Sequence, residues 1–450
     1  MLSGLASAVR AGSVDPADLV AESVRRIEAA RHLNAVIDLW PDDALAEARR
    51  HRRTGPLAGL PVLVKDMARV AGRRTTAGSR LFADAPPDAV DDVVVARLRE
   101  AGAIVLGRTN SPEFGATAYT SNLLHGTTRN PWNPERSPGG SSGGSTAALA
   151  AGLAPLATTS DGGGSVRGPA SMSGLFGYKP TMGAIGRNVL PRWIGFSTQG
   201  ATGTTVADVA LEASITLGPA RGDHLALPRA GVDLAATMPS RVLACRTFRS
   251  GVDPDIEAAF EATLDALAAS GVRVERIEPP VDTAVMWAWF TISTAELAQS
   301  LRAFMDRRDE MTDYVRMQID WAGRVTLDDY IAAQRLRHEV SARFDDLLGD
   351  DSVLVVPVMN ARSWPAEGPL PVEAGGTRDP MGTMNTADLN FTGHPAFSVP
   401  MGLDDHGVPC GLQVVAPRFR DGFGFGLAAH LERIRPWPLV APGYTPFGPG

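Results

Sequence analysis

Cysteine is nearly absent: Cys245 and Cys410 are the only two in 450 residues. Two thiols cannot build a disulfide framework, so the chain reads as a protein of a reducing compartment, the cytoplasm. No apolar run comes near the roughly 18 residues of a membrane-crossing helix, and the opening MLSGLASAVRAGSVDPADLV lacks a signal-peptide core. Long basic runs are missing too. Forty-three basic against fifty acidic side chains leave a formal charge of −7, which counts against a nucleic-acid partner. The eight histidines show no H-E-x-x-H or related ligand spacing, so no metal or cofactor is expected. There is no internal repeat, and 47 glycines and 34 prolines stay below the share that marks low-complexity disorder. What remains is a globular chain, 44% apolar, long enough to bury a large core.

Short apolar, β-branched runs alternate with helical patterns. Asp15-Pro16 followed by Val20, Val24 and Ile27 predicts a capped amphipathic helix, because an Asp side chain accepts free amides and Pro suits the first helical position. Leu60–Val64, Ala103–Leu106, Leu156–Thr159, Val242–Cys245, Val272–Ile277, Val353–Val358, Ala396–Val399 and Leu412–Val415 read as strands. Val93–Ala101 reads as a helix. The alternation predicts an α/β fold, a mixed β-sheet core flanked by helices on both sides. Residues 1–450 read as one domain, with 60–210 as its core and 220–345 as a helix-rich insertion over the active site. The Pro- and Gly-rich tail after Arg435 is expected to drape over the surface. Both cysteines fall in strands and read as packing residues.

Two glycine clusters interrupt this pattern. Gly139–Ser145, GGSSGGS, reads in isolation as a flexible linker. It leads directly into the small-residue helix STAALAAGLA, which a linker does not explain. A phosphate-binding loop would need lysine where Ser145 stands. A hydrolase nucleophile elbow would need a strand where PWNPERSP stands. The second cluster is Asp161–Ser165, DGGGS. A serine hydroxyl needs a base to attack at neutral pH, and no histidine lies within either cluster. Lys65 ends an apolar strand, where burial would strip its charged form of hydration and lower its pKa. Standing alone, it reads better as a surface lysine paired with Asp66.

The clusters do not stand alone. GLPVLVKDM (59–67), TTAGS (75–79), AGAIVLGRTNSPEFG, NPWNPERSPGGSSGGS and DGGGSVRGPASMSGLFGYKPT, ending at Thr181, resemble in order and spacing the amidase signature family of serine hydrolases. Fainter likeness returns in NFTGHPAFSVPMG (390–402) and GLQVVAPRF (411–419). The resemblance implies the family's mixed sheet wrapped by helices. It also implies a triad of lysine, cis-serine and nucleophilic serine at Lys65, Ser141 and Ser165. The oxyanion hole would be the backbone amides of Gly162, Gly163, Gly164 and Ser165. The chain departs from the family's usual wording at Met67, Thr159–Gly162, Ser173 and Gly200–Gly203, which bears on the shape and polarity of the substrate pocket.

The expected activity is cofactor-free hydrolysis of a carboxylic amide through an acyl-enzyme. A carbamate- or ester-cleaving enzyme with the same triad is the alternative, and an amidotransferase component of a tRNA-linked complex is the alternative of another class. Trp193, Ile194, Phe196, Trp287, Trp289 and Trp321 are candidates for an apolar cleft, or else core. No charged clamp is visible, which favours aryl or apolar substrates. Asp161 and Arg167 are expected to hold the loop in shape without a chemical role. The partners expected are a small-molecule amide or carbamate, with no nucleic acid and no membrane, and a homodimer is left open.

Overall fold

The computed structural model describes residues 1–249, 251–379 and 381–449. Two sheets organise it. The larger runs, in spatial order, Val274–Ile277, Arg241–Cys245, Ser352–Pro357, Pro409–Val415, Ala396–Leu403, Phe176–Lys179, Thr198–Gly203 and Thr159–Asp161. Its first three strands are mutually parallel and the others pair antiparallel. The smaller sheet has the order Val36–Leu39, Ile104–Thr109, Pro61–Lys65 and Leu156–Ala157. The result is the mixed α/β sheet with flanking helices that the sequence pattern predicts. Every residue of Pro61–Lys65 and Ile104–Thr109 is buried, as continuous apolar runs in parallel pairing require.

The chain passes from one sheet to the other at Thr158, between Leu156–Ala157 and Thr159–Asp161. Its amide donates to the Leu63 carbonyl and its hydroxyl accepts the Lys65 amide at 2.9 Å. This stitch puts the end of strand Pro61–Lys65 beside the glycine cluster that follows Asp161. Two short helices, Gly143–Ala150 and Arg167–Ser173, fill the seam and are buried along their whole length. Only small side chains permit this: a Cβ on Gly144 would stand 2.5 Å from the Asn110 backbone. The hydroxyl of Ser173 donates to that of Thr146 at 3.0 Å and ties the two helices together.

The stretch 220–345 is not an insertion throughout. Arg241–Cys245 and Val274–Ile277 belong to the larger sheet, joined by helix Pro254–Ala269. Helices Thr283–Ser300, Asp313–Ala322 and Leu327–Leu348 form the layer that packs against Phe114, Trp193 and Phe196. The tail is also more than a drape: Ala441 and Phe447 are buried, and Arg26 binds the carbonyls of Thr445 and Pro446. Asp15 caps Pro16–Ala29 through the Ala17 amide at 2.8 Å, as its sequence context predicts. Among the described residues no helix is long and apolar enough to cross a membrane.

On the larger sheet's other face Phe397, fully buried, stacks on Tyr178 at 4.9 Å between ring centres and meets Phe425 edge-on at 5.1 Å. Phe397→Ala should cost about 3–5 kcal/mol, the usual range for a buried ring removed from a rigid core, read as a lower midpoint in chemical denaturation. A change below about 1 kcal/mol would mean that this cluster is not tightly packed.

Candidate active site

Lys65 ends its strand with the side chain inside the protein, 1% exposed. Its Nζ lies 2.8 Å from Ser141 Oγ, 2.9 Å from Ser142 Oγ and 3.0 Å from Ser160 Oγ. It forms no ion pair among the described residues. Asp66, one residue on in the turn that follows the strand, goes elsewhere: it accepts the amides of Thr76 and Gly78 and faces Arg108 at 3.7 Å. The reading of Lys65 as a surface lysine paired with Asp66 therefore falls. Burial pulls Lys65 down to about 7, against the opposing pull of the Asp161 carboxylate. Near neutral pH a large share of it is an uncharged amine, able to accept a proton from a neighbouring hydroxyl.

Ser141 follows a cis peptide bond from Gly140. Ser141 and Ser165 both line a cavity of about 520 Å³. The structure thus brings together the three side chains picked from sequence, and adds Ser142 and Ser160 to the lysine's shell. Ser160 gave a sequence signal only as a departure from the family's wording, and Ser142 only as the centre of a G-x-S-x-G match that lacks the preceding strand. The Ser165 hydroxyl makes no hydrogen bond among the described residues and is free to meet a ligand.

The loop before Ser165 is shaped by a buried ion pair. Asp161 and Arg167 are both inaccessible, with Nη2 and Nε each 3.0 Å from the carboxylate. Asp161 also accepts the amides of Gly164 (2.7 Å) and Val166 (3.0 Å). Burial alone would raise this carboxyl, but the Arg167 guanidinium holds it well below the usual carboxylate range. Arg167 reaches further, to Gln413 Oε1 at 2.7 Å and the Thr386 carbonyl at 2.8 Å. The Thr386 hydroxyl in turn donates to the Gly163 carbonyl at 2.7 Å, and the Trp289 indole N–H to the Gly162 carbonyl at 3.1 Å.

These bonds correct the expected oxyanion set. Gly164 is not among its donors, because its N–H is committed to Asp161. The amides of Gly162, Gly163 and Ser165 have no acceptor among the described residues. The three glycines serve in two ways. Only Gly164 has a positive φ, +124°, where a side chain would be strained. Gly162 and Gly163 are needed for close approach: a Cβ on either would stand 2.5 Å from Trp193 or Trp289 respectively. Thr386 and Trp289 come from distant parts of the chain, and no sequence motif announced their place here.

Of the candidate cleft residues, Trp193 and Ile194 line the cavity. Trp289 and Phe196 stand behind, with Trp289 edge-on to Trp193 at 5.5 Å and Phe196 fully buried. Trp287 and Trp321 stack on each other elsewhere, 5.4 Å apart, with Trp287 43% exposed. Phe82, Phe114 and Leu190 complete the apolar wall. The sequence shows no charged clamp, yet Arg69, Arg187 and Arg192 also line the cavity. Both cysteines are buried and unpaired. Burial pushes Cys245 up to about 11 and Cys410 up to about 12, as suits packing residues.

A sequence profile of the Amidase family matches residues 18–423. An acylamidase of Rhodococcus erythropolis is 33% identical over 458 aligned positions, covering 96% of this chain and 95% of its own. A glutamyl-tRNA(Gln) amidotransferase subunit of Deinococcus radiodurans is 32% identical, with 97% and 98% covered. Among solved structures, a bacterial aryl acylamidase of the amidase signature family superposes with a TM-score of 0.89 at 27% identity, over 96% of each chain. The substrate complex of 6-aminohexanoate cyclic dimer hydrolase gives 0.87 at 28% identity, over 98% of each.

Arg167→Ala should destabilise the fold by about 3–5 kcal/mol, because it leaves Asp161 charged and unpaired in the interior. Chemical denaturation measures this. The double replacement Asp161→Asn/Arg167→Met should recover part of the loss, and no recovery would mean that the pair does not act as a unit.

Proposed function

Because the chain belongs to the amidase family, and so is an amide-hydrolysing enzyme, we propose that Ser165 is its nucleophile, with Ser141 and Lys65 as the proton relay and aryl or apolar carboxylic amides as its substrates. The observation that carries this reading is Lys65 itself. It is a buried amine, close to neutral at physiological pH, with hydroxyls and no carboxylate within bonding distance, and it is linked through Ser141 to the cavity that Ser165 faces.

The Ser165 oxygen bonds to the amide carbon while its proton passes to Ser141 Oγ, and the proton of Ser141 passes to Lys65 Nζ. The tetrahedral oxyanion is met by the amides of Gly162, Gly163 and Ser165, preorganised donors of the kind worth about 3 kcal/mol each. Collapse breaks the C–N bond as the proton returns from Lys65 through Ser141 to the leaving nitrogen. Water then repeats the sequence on the acyl-enzyme, releasing the carboxylic acid. Phe82, Phe114, Trp193 and Leu190 support an aromatic or aliphatic body for the substrate. A carbamate presents the same carbonyl and leaving nitrogen, so it is the competing substrate class. The unpaired cysteines support a cytoplasmic setting.

The decisive comparison is aniline release from an acyl anilide and a matched N-aryl carbamate by the purified chain and by Ser165→Ala. The expected result is faster turnover of the anilide and none by the variant. A carbamate preference would make the enzyme a urethanase. Turnover only with added partner proteins would favour an amidotransferase role, as in the Deinococcus relative.

Lys65→Ala should lower kcat by about 100- to 10,000-fold, the usual contribution of a positioned proton carrier. In the wild type kcat/KM should fall about tenfold per pH unit below about 7, since a protonated Lys65 cannot accept. A rate flat from pH 5 to 8 would remove the lysine from the relay. Trp289→Phe keeps an aromatic ring, though a smaller one, and removes the indole N–H. It should lower kcat about tenfold with KM little changed, because the lost bond orients an oxyanion donor without touching the substrate.

A further inference from the structure

Most charged walls of the cavity already have partners. Arg69 lies 3.5 Å from Asp88. Arg187 binds Asp223 and the carbonyls of Ile194 and Ser197. Glu296 accepts the Ile194 amide and the Tyr330 hydroxyl, and Asp92 accepts the Val94 amide. Arg192 differs. Among the described residues it makes no hydrogen bond and no ion pair, and its Nε is buried without an acceptor. Its guanidinium carbon sits 4.6 Å from the centre of the Phe114 ring and 5.4 Å from that of Phe82. Those rings offer the cation their π-faces but no hydrogen-bond acceptor for its N–H groups.

Glu113, beside Phe114 in the chain, offers no answer. Its carboxylate is filled by the Ser79 hydroxyl and by the amide and hydroxyl of Thr312, at 2.6, 2.7 and 2.6 Å. Trp193, the next residue after Arg192 and itself a cavity wall, likewise leaves its indole N–H buried without an acceptor. Burial, and then Arg69, draw Arg192 down to about 10, which still leaves it a cation at neutral pH. Arg192 is half-buried: its Nε is orphaned, which costs the empty protein, and a ligand that brings an acceptor to this guanidinium recovers that cost.

We propose that Arg192 is a specificity-determining residue that receives a carboxylate borne by the substrate, so that the preferred substrates are aryl amides carrying one carboxylate away from the scissile bond. This rests on the hydrolase reading above and narrows it. A carboxylate matches the guanidinium fork in two parallel bonds, while Phe82 and Phe114 give the substrate ring a surface to lie against. Asp88, Asp92 and Glu296 line the same cavity and would oppose a dianion such as a phosphate monoester more strongly than a monoanion.

The test uses two pairs, each an acid and its uncharged methyl-ketone isostere, with arylamine release as the readout. 4-Acetamidobenzoate against 4-acetamidoacetophenone puts the charge on the leaving group, and succinanilic acid against levulinic anilide puts it on the acyl group. Wild type should favour the acid in at least one pair by about 10- to 100-fold in kcat/KM, the range of a charge-assisted hydrogen-bonded contact. In Arg192→Met that ratio should fall to about one, chiefly through KM for the acid, and Arg192→Lys should keep part of it because it retains charge without the fork. Taking the ratio within each variant cancels any loss of folded enzyme, and Arg192→Lys decides should Arg192→Met not fold. Ketones turned over with no preference for either acid, or a preference that survives Arg192→Met, would overturn this inference and leave the hydrolase reading intact. No Ser165-dependent turnover of any of the four would overturn both.

Discussion

The pairing of Asp161 with Arg167 in a dry interior is the constraint around which the site is arranged. Two charges without solvent are tolerated only when every lone pair and N–H finds a partner. Here the search for partners draws in the Gly164 and Val166 amides, Gln413, Asn390 and the Thr386 carbonyl. Each bond fixes one more piece of the loop that carries Ser165. With Thr386 held by Arg167 and the Gly163 carbonyl held by Thr386, the peptide units of the loop are oriented before any substrate arrives. Preorganisation of this kind gives backbone donors their catalytic worth, because nothing has to turn when charge develops.

Lys65 depends on the opposite principle. Asp161 is buried with its counter-ion, whereas Lys65 is buried with hydroxyls alone. The single-residue step into the turn that sends Asp66 toward Arg108 also takes a carboxylate away from the lysine. Had the turn placed that carboxylate beside Nζ, the amine would be held protonated. One strand end thus separates a carboxylate paired with arginine from an amine that has no counter-ion. The Arg192 guanidinium stands between these cases, a charge retained beside aromatic faces with no hydrogen-bond partner among the described residues.

Much of this is legible along the chain. The strand ending at Lys65, the small-residue helix after GGSSGGS and the strands at 242–245, 353–358 and 412–415 follow from local apolar runs and lie where those runs predict. Lys65, Ser141 and Ser165 stand out because long ordered motifs surround them. The readings that need correction depend on what stands opposite in space. Gly164 reads as an oxyanion donor along the chain, yet its N–H belongs to Asp161. Residues 220–345 read as one insertion because helices dominate them, although two of their short strands complete the larger sheet. Trp287 and Trp289 are two positions apart in the same helix, yet one stacks on Trp321 and the other braces the glycine loop.

By itself, then, the sequence determined the fold class, the family and the candidates for the reacting side chains, because periodicity, turn chemistry and long motifs are local and survive being read in one dimension. Only the tertiary structure decided which amides remain free among the described residues, which tryptophans reach the cavity and which of its lining arginines lacks a partner there. Those properties belong to pairs of groups far apart in the chain, such as Arg167 with Gln413 or Trp289 with Gly162. A hydrogen-bond donor is committed or free only with respect to what the fold places within about 3 Å of it.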